Sequence, residues 1–266
     1  GSGNVSLGSG HNLVVPGNIT GQGTAAITGT ATLSGNATVG GTLGVTGKTT
    51  LSDNVGIGVT TETDWHANND VLQLGLGACI YGNNTATENQ ILANAKGTLG
   101  SSLNGYKYIN ADKASTYQQY DGQHNFRVAG AGSADAAITW NTAMTIDNSG
   151  RITMPNQPSF AGSWNNNRSA GQILKGGDHQ DHNVGNHYNN STGLWTAPVT
   201  GKYFVSILCM TTQAGGGTID VELQKNGADY QMLVPYAQVS GTIHIHVAGS
   251  AIVHLAANDT LGWYIN

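Results

Sequence analysis

His244-Ile245-His246 carries the most pointed spacing for metal chemistry in this chain. Side chains alternate along an extended strand, so both imidazoles share one face, opposite Ile243, Ile245 and Val247. Three copies meeting along that face would gather six imidazoles at one axis, a donor set for octahedral iron, nickel or zinc. The competing reading is a solvated or interface-polar face. Asp178-His179-Gln180-Asp181-His182 concentrates cation-ligating types and reads either as a cation loop or as a polar surface loop. Hydrolysis has no comparable signature. The sequence holds no Gly-x-Ser-x-Gly elbow, phosphate loop or His-Glu-x-x-His. Asp220 and Glu222 alternate onto one outward face, but no spacing aims them into a cleft. A depolymerase would need two carboxylates about 5–10 Å apart, between subunits if not within one. The expectation is a protein without catalytic residues.

Composition narrows the partners. Of 266 residues 39 are Gly, only 9% are charged, and the net charge is −5. Ten Lys and Arg without a cluster offer no footprint for nucleic acid. No apolar run reaches the 18 residues of a membrane span. The two cysteines, Cys79 and Cys209, lie far apart in apolar surroundings and read as buried free thiols. The start Gly1-Ser2-Gly3 lacks Met and reads as an expression scar or the start of a fragment.

The elements that would position these residues fall into three parts. Residues 4–60 repeat every six residues. Val15, Ile27, Leu33, Val39, Val45, Leu51 and Ile57 share one register, and Gly follows two residues after most of them. An aliphatic residue every six points inward from a short β segment, and Gly supplies the turn. Such a repeat must stack to bury its apolar side. Too few hexads are present for a single-chain β-helix, so three chains around one axis are expected. Residues 61–157 read as short strands between Gly, Asn and Asp turns, including Val71–Leu74, Tyr106–Ile109, Asn125–Val128 and Ala137–Trp140. Asp147-Asn148-Ser149-Gly150 is the turn of a hairpin. Trp65, Tyr106, Tyr108, Tyr117 and Tyr120 either pack in the core or between subunits, or are platforms for stacking a sugar.

Residues 158–266 carry longer alternating strands. Ile219, Val221 and Leu223 face in while Asp220, Glu222 and Gln224 face out, and Lys225-Asn226-Gly227 turns the chain. Gly201–Met210 is apolar on both faces, so one face fills a core and the other (Phe204, Leu208, Met210) needs a neighbouring subunit as cover. The fold class expected is all-β: a trimeric β-helix-like shaft, a β-rich connector and a jelly-roll sandwich head.

Two resemblances attach to these patterns. The hexads, and the connector motif Trp140-x-x-Ala143-Met144-x-Ile146-Asp147-x-Ser149-Gly150, resemble shafts and connectors of bacteriophage tail fibres. Asn183-x-Gly185-x-x-Tyr188, Trp195-Thr196-Ala197-Pro198 and Gly201-Lys202-Tyr203-Phe204-Val205 resemble the complement q-type globular head, a tumour-necrosis-factor-like jelly roll. Leu223–Gly227 and Leu255–Leu261 match later strands of that family, whose pattern has one more strand where this sequence stops at Asn266. The resemblance implies a homotrimeric phage tail fibre, assembled in the bacterial cytoplasm and carried on the virion. Its head would bind a host cell-surface glycan or outer-membrane component, and other virion tail proteins would join through a missing N-terminus. A purely structural spacer and a bacterial adhesin are the alternatives. Candidate receptor contacts are Gln213, Gly216, Gly227, Asp229 and Tyr230, because loops 213–217 and 227–231 join strands in a Gly-rich stretch. His244 and His246 are the candidate ligands of a transition-metal ion.

Overall fold

The computed structural model describes residues 30–84, 87–98, 105–164, 171–176, 179–212, 217–239 and 244–266. The chain divides into two compact units, Gly1–Thr50 and Leu51–Asn266. Within the first unit the described residues form no strand, and Leu33, Val39, Leu43 and Val45 stand exposed. A hexad chain has nothing of its own to stack these residues on.

The connector begins the second unit. Its strands are β1 (Val55–Ile57), β2 (Asn69–Leu74), β3 (Ala78–Asn83), β4 (Glu88–Ala93), β5 (Ala95–Gly97), β6 (Tyr106–Tyr108), β7 (Ala114–Tyr120), β8 (Gln123–Ala129), β9 (Asn141–Ile146) and β10 (Ile152–Thr153). Eight of them form one sheet in the order β1-β2-β3-β4-β7-β8-β9-β10, while β5 and β6 pair as a separate ribbon. The Asp147–Gly150 turn is present. Gly150 N donates to Asp147 O at 2.9 Å, and Gly150 takes φ +79°, a conformation that favours glycine. Ala137–Trp140 departs from expectation: it makes one bridge, Lys107 to Ala137, while Ile138 and Trp140 pack on the core and Thr139 stays exposed.

The head contains β11 (Ser159–Ser163), β12 (Gln172–Ile173), β13 (His179–Val184), β14 (Tyr188–Asn189), β15 (Leu194–Thr196), β16 (Gly201–Thr212), β17 (Gly217–Lys225), β18 (Ala228–Val239), β19 (His244–Leu255) and β20 (Thr260–Ile265). Its pairings are nested: β15 with β20, β16 with β19, β17 with β18. Nested pairs are one long hairpin rolled up, which is a jelly-roll-like sandwich. The core packs Trp195, Val221, Leu223, Val253, Leu255, Leu261 and Trp263. Gly249 lets β19 press against the backbone of β18 at Leu233, where a Cβ would collide. No helix occurs among the described residues.

Candidate functional site

The head motifs are structural devices. Asn183 Oδ1 accepts from Tyr188 N at 3.0 Å, and Asn183 Nδ2 donates to Tyr188 O at 2.8 Å. The side chain thus closes the turn that Gly185, at φ +80°, makes possible. Trp195 and Ala197 are buried, and Tyr203 packs edge-on to Trp195 at 4.8 Å while its hydroxyl donates to Val199 O at 2.5 Å. The spacing from Asn183 to Val205 therefore fixes one corner of the sandwich.

The β16–β19 ribbon has two unlike faces. Val205, Ile207, Val247 and Val253 point into the core. The opposite face holds Phe204 (72% exposed), Leu208 (73%), Met210 (59%) and Ile252 (69%). Phe204 pairs with Ile252, and Met210 with His246, so these side chains form one patch. His244 and His246 lie exposed at its end, opposite the inward Val247, as the alternation predicts. Among the described residues no three His, Cys, Asp or Glu of one chain converge to hold a metal ion. The Asp178–His182 stretch is not a loop from residue 179 onward. It forms β13 against β11, with His179 Nε2 and Asp181 Oδ1 2.7 Å apart; Asp178 lies outside the described residues.

The expected receptor contacts separate. Gln213 and Gly216 lie outside the described residues. Gly227, with φ +80°, and Asn226, with φ +54°, form the β17–β18 turn, where Asp229 and Tyr230 are exposed. Lys225 anchors this turn: its ammonium meets Asp259 at 2.8 Å and sits 5.4 Å from the Tyr230 ring. Asn226 Nδ2 donates to Asp259 at 2.8 Å, and Asn226 Oδ1 accepts from Thr260 N at 2.8 Å. Lys225, Asn226 and the Ala256 amide together hold the Asp259 carboxyl down to about 2. Beside the turn, partial burial and the neighbouring Asp229 raise Glu222 above the usual carboxylate range. The outward face expected for Asp220 and Glu222 is corrected in part. A bulge between Ile219 and Val221 buries Asp220, whose backbone bonds to Asn266.

A cleft of about 790 Å³ opens between β11 and β16, lined on one side by residues 158–164 and on the other by every residue from Tyr203 to Met210. Inward and outward residues of β16 both line it, so it runs along the strand edge that β19 leaves unpaired. Trp263 lines it too, and its buried indole N–H has no partner among the described residues. A short strand of about 17 Å, with spacings near 4.8 and 10 Å, fills a comparable volume.

The connector aromatics are mostly core. Trp65, Tyr106 and Tyr108 are buried, which removes them as sugar platforms; Tyr120 is exposed, and Tyr117 stacks on Phe126 at 4.8 Å. Sequence reasoning missed the polar interior beneath them. Tyr81 and Tyr106 hydroxyls meet at 2.6 Å, Gln90 donates to Tyr106 and Glu88, Gln118 donates to Glu88 at 2.5 Å, and Arg127 donates to Gln118 at 2.5 Å. Burial pushes the Tyr106 hydroxyl up to about 12 and the Cys79 thiol up to about 12, leaving that free cysteine unreactive. Cys209 is half-buried, and burial raises its thiol as well. Lys96, with its side chain 4% exposed, meets Glu62, Asp64 and Asp135 at 2.8–2.9 Å. Burial opposes its charge, but Asp135, Asp64 and Glu62 outweigh that and hold the ammonium above its ordinary range. The polar residues at alternate positions of β4, β7 and β8 were the available signal.

Residues 165–263 match the family model of the C1q domain. C1q domains are typically trimeric, non-enzymatic recognition modules, and the match covers the head alone. Among solved structures, the globular domain of zebrafish complement 1qA protein aligns with 41% of this chain and 84% of its own, at 16% identity and a TM-score of 0.35. No curated protein matches this chain.

Proposed function

We propose that this chain is the distal part of a homotrimeric bacteriophage tail fibre whose C1q-like head adheres to the bacterial host surface. The observation that carries the reading is the exposed apolar face of the β16–β19 ribbon, on a domain whose family typically assembles in threes. The hexads of residues 4–60 supply the spacing shaft, residues 61–157 the connector and residues 158–266 the head. Three chains together give the hexad aliphatics the stacking partners that one chain lacks. The trimer packs the β16–β19 faces together and leaves the β17–β18 turn, with Gly227, Asp229 and Tyr230, free to touch a host glycan or outer-membrane component. Three weak contacts on one rigid body give avidity without a deep pocket. His244 and His246 from three chains supply six imidazoles to a transition-metal ion at the axis. The protein does no chemistry on its ligand.

Incubating the full chain with a panel of bacterial cells and their purified envelope glycans tests the reading. Saturable binding to some strains, weakened at least tenfold by Tyr230→Ala, supports it. Absence of binding across the panel leaves a structural spacer. Metal analysis of the purified trimer checks the histidines: one ion per three chains, lost in His246→Ala, is expected.

A further inference from the structure

The buried face of the connector sheet mixes Val71, Cys79, Tyr81 and Leu92 with Gln73, Gln90, Gln118, Asn125 and Arg127. Its open face carries Leu72, Ile80, Ile91, Tyr117, Phe126 and Met144, and these six residues stand in one cross-strand register from β2 to β9. Leu74, Ala78, Ala93, Ser115 and Val128 form a parallel row beside them. Neither row contains a charge. Ile91 is 49% exposed and Val128 likewise. A contiguous apolar surface of this kind marks an interface; scattered exposed hydrophobics do not.

We infer that this face turns toward the three-fold axis and packs against the same faces of the other two copies of the chain, forming a self-association surface in the connector separate from the head. Size selects the occupant. Six strands about 4.8 Å apart and two rows about 7 Å apart span roughly 350 Å². A partner arriving from free solution needs about 800 Å² per side for a stable complex. A partner already held by another interface needs far less, because tethering replaces bulk concentration with a high effective one. Copies joined through their heads are such partners, so the inference rests on the homotrimer reading above. The absence of charge also suits contact between identical surfaces, where any charge would meet its like.

Cross-linking separates the two ideas. In a Cys209→Ser background of the full chain, Ile91→Cys is treated with a short bis-maleimide, and Asp112→Cys, exposed off the sheet, serves as control. Cross-linked multimers at least tenfold above the control are expected. In parallel, Ile91→Lys with Phe126→Lys raises the concentration at which the assembly dissociates by tenfold or more. A solution mass of three chains with cross-linking at the control level overturns this interface and spares the homotrimer. A one-chain mass overturns both.

Discussion

In the head, the positions sealed from solvent belong to Val221, Leu223, Leu255 and Leu261; in the connector, equally sealed positions include Gln73, Gln90 and Gln118 beside Cys79, Tyr81, Leu92 and Tyr106. Apart from the buried Asp220, the head places its hydrogen-bonding side chains in turns and edges, as at Asn183 and Asn226, and stabilises itself by apolar burial. The connector pairs buried amides and a buried guanidinium with one another, leaving Glu88 Oε2 and Arg127 Nε without a partner among the described residues, and turns two apolar rows outward. A buried network of this kind ties its strands to one register, because a slip would break hydrogen bonds that water cannot reach to replace. Both regions also carry an apolar face without a partner in the single chain: the outer face of β16–β19 in the head, with Phe204 and Leu208 the most exposed, and the two outward rows of the connector sheet.

Substitutions can break that contrast. Leu255→Ala in the sealed head core should cost about 3 kcal/mol, read as a lower urea midpoint with an unchanged slope. Gln118→Leu leaves Glu88 and Arg127 without their shared partner and should cost about 2 kcal/mol, read in the same titration. A near-neutral result there would place the connector's stability in its apolar residues after all. Asn183→Ala exposes a turn amide and should cost about 1 kcal/mol.

The acid response sharpens the comparison further. Asp259 has its folded value lowered to about 2, below the unfolded carboxylate. Its stabilising contribution is therefore present above about pH 4 and disappears as pH falls toward 2. Thermal unfolding from pH 5 to pH 2 should show a smaller drop for Asp259→Asn than for the parent chain. Lys96 works in the other direction: raised in the fold, it stabilises below its ordinary range and stops doing so in strong alkali.

Much of the head was legible. Alternation placed Ile219, Val221 and Leu223 inside, and Asn226-Gly227 marked the β17–β18 turn through its need for positive φ. The exposed Phe204, Leu208 and Met210 followed from a strand apolar on both faces. Asp220 escaped because a bulge breaks the alternation, and nothing in Ile219-Asp220-Val221 announces it. The connector's orientation escaped for a deeper reason. Asn125-Phe126-Arg127-Val128 alternates cleanly, but periodicity names two faces without saying which is wet. The polar face went inward because Tyr81, Tyr106 and the side chains around them supply its hydrogen bonds, and these come from strands distant in sequence.

Sedimentation equilibrium of the full chain at micromolar concentration tests self-association most directly. The account predicts a single species of three times the 27.4 kDa chain mass. A species of 27.4 kDa, with both apolar faces left in water, would contradict it.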